Sequence, residues 1–216
     1  MITFHSFSRP DAEAVTALAG IATATLHEAI GQKGALPFEI KPIYPGMKLC
    51  GTALTVDCTP GDNLAIHAAL RVAQPGDVLV VDYKGHVEAG PFGDVLGTAC
   101  LQAGIRGMVI DGCVRDGEAL RDLPFPVFSR GLSMKGTAKG KPGVVGAPIV
   151  CAGVAVAPGD AIIGDDDGVV VVPRDMIAMA ASEGRARDEK EATMREKLKS
   201  GATTIDLLGL AGAIDS

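Results

Sequence analysis

The strongest chemical signal in the sequence is Asp94, followed after twenty residues by the pair Arg115-Asp116. Gly93 and Asp94 fall at the predicted start of a helix, just after the turn Glu88-Ala89-Gly90-Pro91-Phe92. A helix start presents unpaired backbone N–H groups and a partial positive charge, which suit a carboxylate or a phosphate. Glycine at 93 lets a ligand approach the backbone closely. The same residues also read as a capping turn without a ligand. Arg115 and Asp116 follow a buried strand and the loop Asp111-Gly112-Cys113, at a strand's carboxyl end, where open α/β sheets gather ligands. Arginine grips a carboxylate through two parallel bonds, and an adjacent aspartate can hold a hard divalent cation. The plainer alternative is that Asp116 caps the next helix while Arg115 pairs with a surface acid. If two consecutive strand–helix units lie side by side, one loop supplies backbone donors and an acid. The other supplies a cation and a metal ligand. Such a set binds a 2-oxo acid and stabilises negative charge on its enolate.

The surrounding pattern supplies elements to hold these loops. Residues 11–31 read as helical from the steps Ala14, Leu18 and Ile21, with a second start near Thr23 and Thr25 and a stop at Gly31. The segment 32–48 carries three prolines and reads as an extended wrap. Strands are predicted at 49–58, 77–82, 107–111 and 125–129, and helices at 63–72, 94–103 and 117–122. Continuous apolar strands alternating with helices indicate a parallel or mixed sheet covered on both faces. After residue 145 the texture becomes β, with strands at 148–157, 161–163 and 168–173. A long helix then spans 174–199. No linker divides the chain, so one domain over 1–216 is expected, with 174–216 as a C-terminal helical arm.

Beyond the spacing Asp94…Arg115-Asp116, the chain carries Thr25-Leu-His27-Glu28-Ala, Pro42-Ile-Tyr44-Pro-Gly, Gly61-Asp62-Asn63-Leu…His67, Gly93-Asp94-Val95-Leu96, Asp165-Asp-Asp-Gly168-Val, and Glu191 followed by Arg195, Leu198, Gly201 and Asp206. Over roughly residues 10–206 it resembles the class II pyruvate aldolases, which cleave 4-hydroxy-4-methyl-2-oxoglutarate and 4-carboxy-4-hydroxy-2-oxoadipate. The resemblance implies a swivelling β/β/α fold and a trimer, or a hexamer of two trimers, with active sites between subunits. It also implies oxaloacetate decarboxylation, because both reactions pass through pyruvate enolate. By position it implies Asp116 as the direct ligand of Mg²⁺ or Mn²⁺ and Arg115 on the pyruvyl moiety. The backbone of Gly93, Asp94, Val95 and Leu96 would hold the carboxylate, Asp94 would order water around the metal, and Glu191 would reach the next subunit's site. The tail Leu207-Leu-Gly-Leu-Ala-Gly departs from the tyrosine-containing ending of some relatives. The regulator of ribonuclease activity A shares the resemblance as a non-catalytic protein-binding alternative. That relative lacks the acid after the motif arginine, and this chain keeps Asp116.

Other candidates have plainer readings beside them. Glu191 lies on the helical stripe of Met176, Ile177, Ala180, Ala181, Gly184, Met194 and Leu198, where an acid must be paired or used. A pair with Arg195, four residues on, would satisfy it. His27 and His67 on predicted helices read as structural residues; both, with Glu28, are also candidates for a site completed by a neighbour. Arg130, just after a strand, is a candidate for a substrate's distal carboxylate. Asp165–Asp167 reads as a turn, since it lacks the spaced ligands of a calcium loop.

Composition bounds the rest. With 47% hydrophobic and 21% charged residues the chain is globular, and with 4% aromatic and no Trp its core is aliphatic. A net charge of −6 argues against broad nucleic-acid or membrane binding. The five cysteines lack a C-x-x-C and sit in apolar stretches, as buried reduced thiols do. No G-x-G-x-x-G is present for a nucleotide cofactor. No apolar run approaches the roughly 20 residues of a membrane span, and the first residues lack a signal-peptide pattern, so a cytoplasmic location is expected.

Overall fold

Two of the apolar runs become strands that serve two cores at once. The computed structural model describes residues 1–214. It opens with β1 (Ile2–Phe4), α1 (Ala12–Thr16), α2 (Thr23–Ala29), β2 (Lys41–Pro42) and β3 (Leu49–Cys58). Then come α3 (Leu64–Ala69), β4 (Asp77–His86), α4 (Asp94–Gln102), β5 (Gly107–Val114), α5 (Gly117–Asp122), β6 (Val127–Ser129) and β7 (Gly131–Leu132). The rest is β8 (Gly143–Val145), β9 (Ile149–Cys151), β10 (Val154–Val156), β11 (Ala161–Asp165), β12 (Gly168–Val172), a 3-10 turn at Arg174–Met176, α6 (Ile177–Lys199), α7 (Thr204–Leu208) and α8 (Ala211–Ile214).

Strands β3, β4, β5 and β6 pair in parallel, in that order. On β3's other edge β11 pairs antiparallel, and β12 pairs with β11. Side chains of successive strand residues point to opposite faces. Accordingly Leu79, Val81, Met108 and Ile110 enter a core with Ile66, Leu96 and Phe125, under α3, α4 and α5. Their neighbours Val78, Val80 and Val109 enter a second core with Ile162, Val169 and Val171 of β11 and β12. The opposite faces of β11 and β12, through Ile163, Val170 and Val172, meet α1, α2 and α6. Helices, sheet, folded-over β layer and helices therefore stack in four layers: an α/β fold with a C-terminal helical arm. Each fully buried Val, Leu or Ile contributes about 1.5–3 kcal/mol relative to exposure. Among the described residues no helix is long and apolar enough to cross a membrane.

The structure redraws several expected boundaries. Within 11–31 the second start expected near Thr23 is present, and the two helices are short and parted where Gly20 takes a positive φ of 86°. Buried Asp165 accepts bonds from the Thr23 amide (3.0 Å) and hydroxyl (2.6 Å), and so fixes the start of α2. The expected strand 148–157 is a hairpin, β9–β10, turning at Ala152 (φ 49°) and Gly153 (φ 85°). Strands β4 and β5 run on to His86 and Val114, past the residues where the apolar runs stop. On α6, Ile177, Ala180, Ala181 and Gly184 are buried, but Met194 and Leu198 are not, because the helix outruns the body of the chain. Four of the cysteines are buried and all are free thiols; burial pushes Cys58 and Cys100 up to about 12, where they stay protonated.

Candidate active site

Because β4 and β5 are parallel neighbours, the loops that follow them emerge side by side. The Arg115 amide donates to the Phe92 carbonyl at 2.8 Å and ties one loop to the other. Gly90 and Gly93 make the contact possible. A Cβ on Gly90 would collide with the Ser133 carbonyl and the Arg115 side chain, and one on Gly93 would collide with the Asp116 carboxylate. The glycines are therefore needed for close packing rather than for a left-handed backbone.

Asp116 itself is left-handed, with φ 56° and ψ 41°. A non-glycine residue there carries strain of the order of 1–3 kcal/mol, and such strain concentrates at functional sites. It stands at the N-cap position of α5 but makes no side-chain capping bond. Its Oδ2 instead accepts from Arg115 Nε at 3.3 Å, and both side chains are about 40% exposed, at 39% and 42%. The plain capping role for Asp116 is thus set aside. Asp94 opens α4, and its Oδ1 accepts from the next amide, Val95, at 2.8 Å. Of the first-turn donors expected to hold a carboxylate, Val95 N–H is therefore occupied by Asp94. The amides of Asp94 and Leu96 have no partner within the helix.

Asp94 and Asp116 border an open groove of about 590 Å³ that is also lined by Gly117, Glu118, Ala119 and Asp122. These are hard oxygen donors. Among the described residues no three His, Cys, Asp or Glu side chains converge as a metal cage. A single accessible carboxylate in an acidic groove fits Mg²⁺ or Mn²⁺, since Mg²⁺ keeps several waters and takes only one or two protein carboxylates.

Two further parts of the site were not read as such from the sequence. Buried Asn63 donates from Nδ2 to the Pro91 carbonyl at 2.8 Å and steadies the turn into Gly93. Its Oδ1 is a buried acceptor without a partner. The irregular segment 133–141 crosses the loops: Ser133 N–H donates to Val114, Gly90 N–H to Lys135, Ala138 N–H to Gly61, and Asn63 N–H to Ala138, all within 3.1 Å. The amides of Gly140 and Lys141 donate to Asp62 Oδ2. Burial works to raise the Asp62 carboxyl, but these bonds, the Leu64 amide and the Lys141 charge hold it below the usual range. The run of small and basic residues over 133–141, with two glycines and three lysines, was the available signal.

The remaining candidates lie elsewhere. Glu191 on α6 binds Arg187 (3.0 Å) and Arg195 (3.5 Å), and Arg187 also pairs with Glu28. Among the described residues no hydrogen bond or ion pair joins this cluster to Asp94, Arg115 or Asp116. His27 Nδ1 bonds the Lys33 carbonyl at 2.9 Å, as a structural histidine does. Arg130 donates through Nε to buried Asp111 at 2.6 Å, an internal pair that offsets its charge. His67, on α3, is part-buried; burial first, and then the Lys139 charge, lower its pKa.

The chain is similar to two sets of known proteins. It is 38% identical over 186 residues, covering 84% of this chain and 88% of that protein, to a Halalkalibacterium halodurans protein provisionally named 4-hydroxy-4-methyl-2-oxoglutarate aldolase. It is 30% identical over 151 residues, 70% of this chain and 92% of that protein, to the 4-hydroxy-4-methyl-2-oxoglutarate aldolase of Thermus thermophilus. Among solved structures it superposes on Streptomyces coelicolor RraAS2, described as an unusual member of the RNase ES inhibitor RraA family. That match has a TM-score of 0.77 and 31% identity, over 88% of this chain and 100% of that one. Residues 23–171, which hold both site loops, match the RraA-like family described as Aldolase/RraA, and the chain belongs to that family.

Proposed function

We propose that the protein is a divalent-metal-dependent lyase. It cleaves 4-hydroxy-2-oxo acids with further carboxylates, such as 4-hydroxy-4-methyl-2-oxoglutarate or 4-carboxy-4-hydroxy-2-oxoadipate, to release pyruvate, and decarboxylates oxaloacetate through the same enolate. The observation that carries the reading is Asp116: strained, uncapped, accessible and set against Gly93 and Arg115. Asp116 would hold Mg²⁺ or Mn²⁺, with Asp94 beside it. When bound, the cation would polarise the 2-oxo group and carry negative charge as the enolate forms.

The chain's own groups do the rest. Arg115 grips the pyruvyl oxygens, and the free amides at the start of α4 receive the substrate carboxylate. In aldol cleavage a base takes the proton of the C4 hydroxyl as the C3–C4 bond breaks, and the electron pair passes into pyruvate enolate. An acid then protonates C3. Asp94 orders the water that delivers that proton. Glu191 is the base in this reading and is supplied by a neighbouring subunit of a trimer or hexamer. The clustering of Glu191 away from Asp116 within one chain supports that assignment, as does the uncovered distal half of α6.

A second reading, a protein-binding regulator of a ribonuclease, is favoured by the RraA-type structural neighbour. Coupled pyruvate release from oxaloacetate and from the two branched 4-hydroxy-2-oxo acids, with Mg²⁺ and with excess chelator, separates the two. Turnover that the chelator abolishes is expected. No turnover of any substrate would favour the regulator, and full activity in chelator would sink the metal assignment.

A further inference from the structure

Helix α6 carries its charged cluster at the point where it leaves the body of the chain. Up to residue 188 polar contacts tie it down: Arg185 donates to the Ala17 carbonyl at 3.0 Å, and Thr25 Oγ1 donates to Asp188 at 3.1 Å. Beyond Glu191 the hydrogen bonds and ion pairs of α6, among the described residues, stay within the helix and the turn that ends it. Arg187 stands at the border. Its Nη2 pairs with Glu28 of α2, and its Nε donates to Glu191 Oε1 at 3.0 Å. One planar guanidinium thus joins a carboxylate of the body to a carboxylate of the arm, a fork that a point charge cannot reproduce. It also stands between two like charges, which would repel each other without it. The other oxygen, Oε2, meets only Arg195, at 3.5 Å, whose side chain is 60% exposed.

We infer that Arg187 is the positioning residue for Glu191. It fixes the carboxylate against the body of its own subunit through Oε1 and leaves Oε2, the more loosely held oxygen, to take the C4 hydroxyl proton in the neighbouring subunit's site. A glutamate on an uncovered helix otherwise turns among many rotamers, and a base displaced by an ångström loses much of its rate. An exposed ion pair adds little to stability, so losing this one spares the fold. The inference rests on the reading of Glu191 as a base supplied between subunits.

The test measures kcat/KM, with Mg²⁺, for cleavage of 4-hydroxy-4-methyl-2-oxoglutarate and for decarboxylation of oxaloacetate. The proteins are the wild type, Glu191→Gln, Arg187→Met, Arg187→Lys and Arg195→Met. Oxaloacetate has no hydroxyl proton to remove, so the cleavage-to-decarboxylation ratio reports the base, whereas a weakened fold or assembly lowers both reactions alike. Arg187→Met should lower the ratio about tenfold, with the oligomeric mass from light scattering unchanged. Arg187→Lys should fall between it and the wild type, and Arg195→Met should keep the wild-type ratio. A wild-type ratio in Arg187→Met, where Glu191→Gln lowers it, overturns the positioning role and leaves the lyase reading standing. Should Arg187→Met alter the oligomeric mass, Arg187→Lys decides, and a wild-type ratio there overturns the role. No fall in Glu191→Gln removes Glu191 as the base and the role of Arg187 with it. No turnover of either substrate by the wild type overturns the lyase reading itself.

Discussion

Asp116 and Asp165 are both aspartates at turns that lead into the next element, yet their surroundings are opposite. Asp165 is buried, with its side chain 9% exposed, and accepts from the Thr23 amide, the Thr23 hydroxyl and the Asp167 amide. Its oxygens are occupied in joining β11 to the distant start of α2. Burial works to raise its carboxyl, but those bonds, helped by Lys48, hold it below the usual carboxylate range. Asp116 holds a strained backbone, makes no cap and leaves its carboxylate reachable from solvent. The comparison teaches that an acid's role follows from the occupancy of its lone pairs. A conspicuous run of acids is a poor guide: the triplet 165–167 catches the eye, and the site is elsewhere.

The sharpest way to break this contrast is Asp116→Asn, which keeps the shape and tolerates the left-handed backbone. Turnover should fall roughly a hundredfold or more, while thermal unfolding stays within a degree or two of the wild type. A large loss of stability with intact turnover would make Asp116 the structural acid of the two. Next in size is Gly93→Ala. Its methyl group meets the Asp116 carboxylate, so activity should drop about tenfold or more through displacement of that side chain, readable as weaker metal activation. Asp165→Asn should do the reverse. Folded protein should keep its turnover but lose about 1.5–3 kcal/mol in denaturant unfolding at neutral pH. Because the folded carboxyl is held below its unfolded value near 4, this stability is present above that value. It is lost as pH falls through the folded one. The gap between wild type and mutant should therefore close in acid, and a gap that persists at pH 2 would mean the carboxylate charge is not what matters.

Much of the site could be read in the sequence because its logic is local. A glycine and an acid at a helix start, and an Arg-Asp pair after a strand, become neighbours once two βα units are known to be consecutive and parallel. The fold class followed from the same alternation. The contributions of Asn63 and of segment 133–141 were hidden, because they act through bonds between a side chain and the main chain, across 28 residues for Asn63 to Pro91 and more for Lys141 to Asp62. No periodicity records such bonds. Glu191 was half visible. Its stripe suggested a partner at Arg195, and the structure adds Arg187 and, through it, Glu28. The second helix start near Thr23 could be read, but not the acid that fixes it, because that side chain lies 142 residues away.

Segment 133–141 is held along its path chiefly by amides and carbonyls of Gly61, Asn63, Gly90 and Val114, together with the Asp62 carboxylate. Most of its own side chains take little part in that attachment. Thr137 and Lys139 can therefore be exchanged without unseating the loop, and a new side chain there would sit on an unchanged frame. The path of the segment and its surface chemistry can thus vary independently of each other.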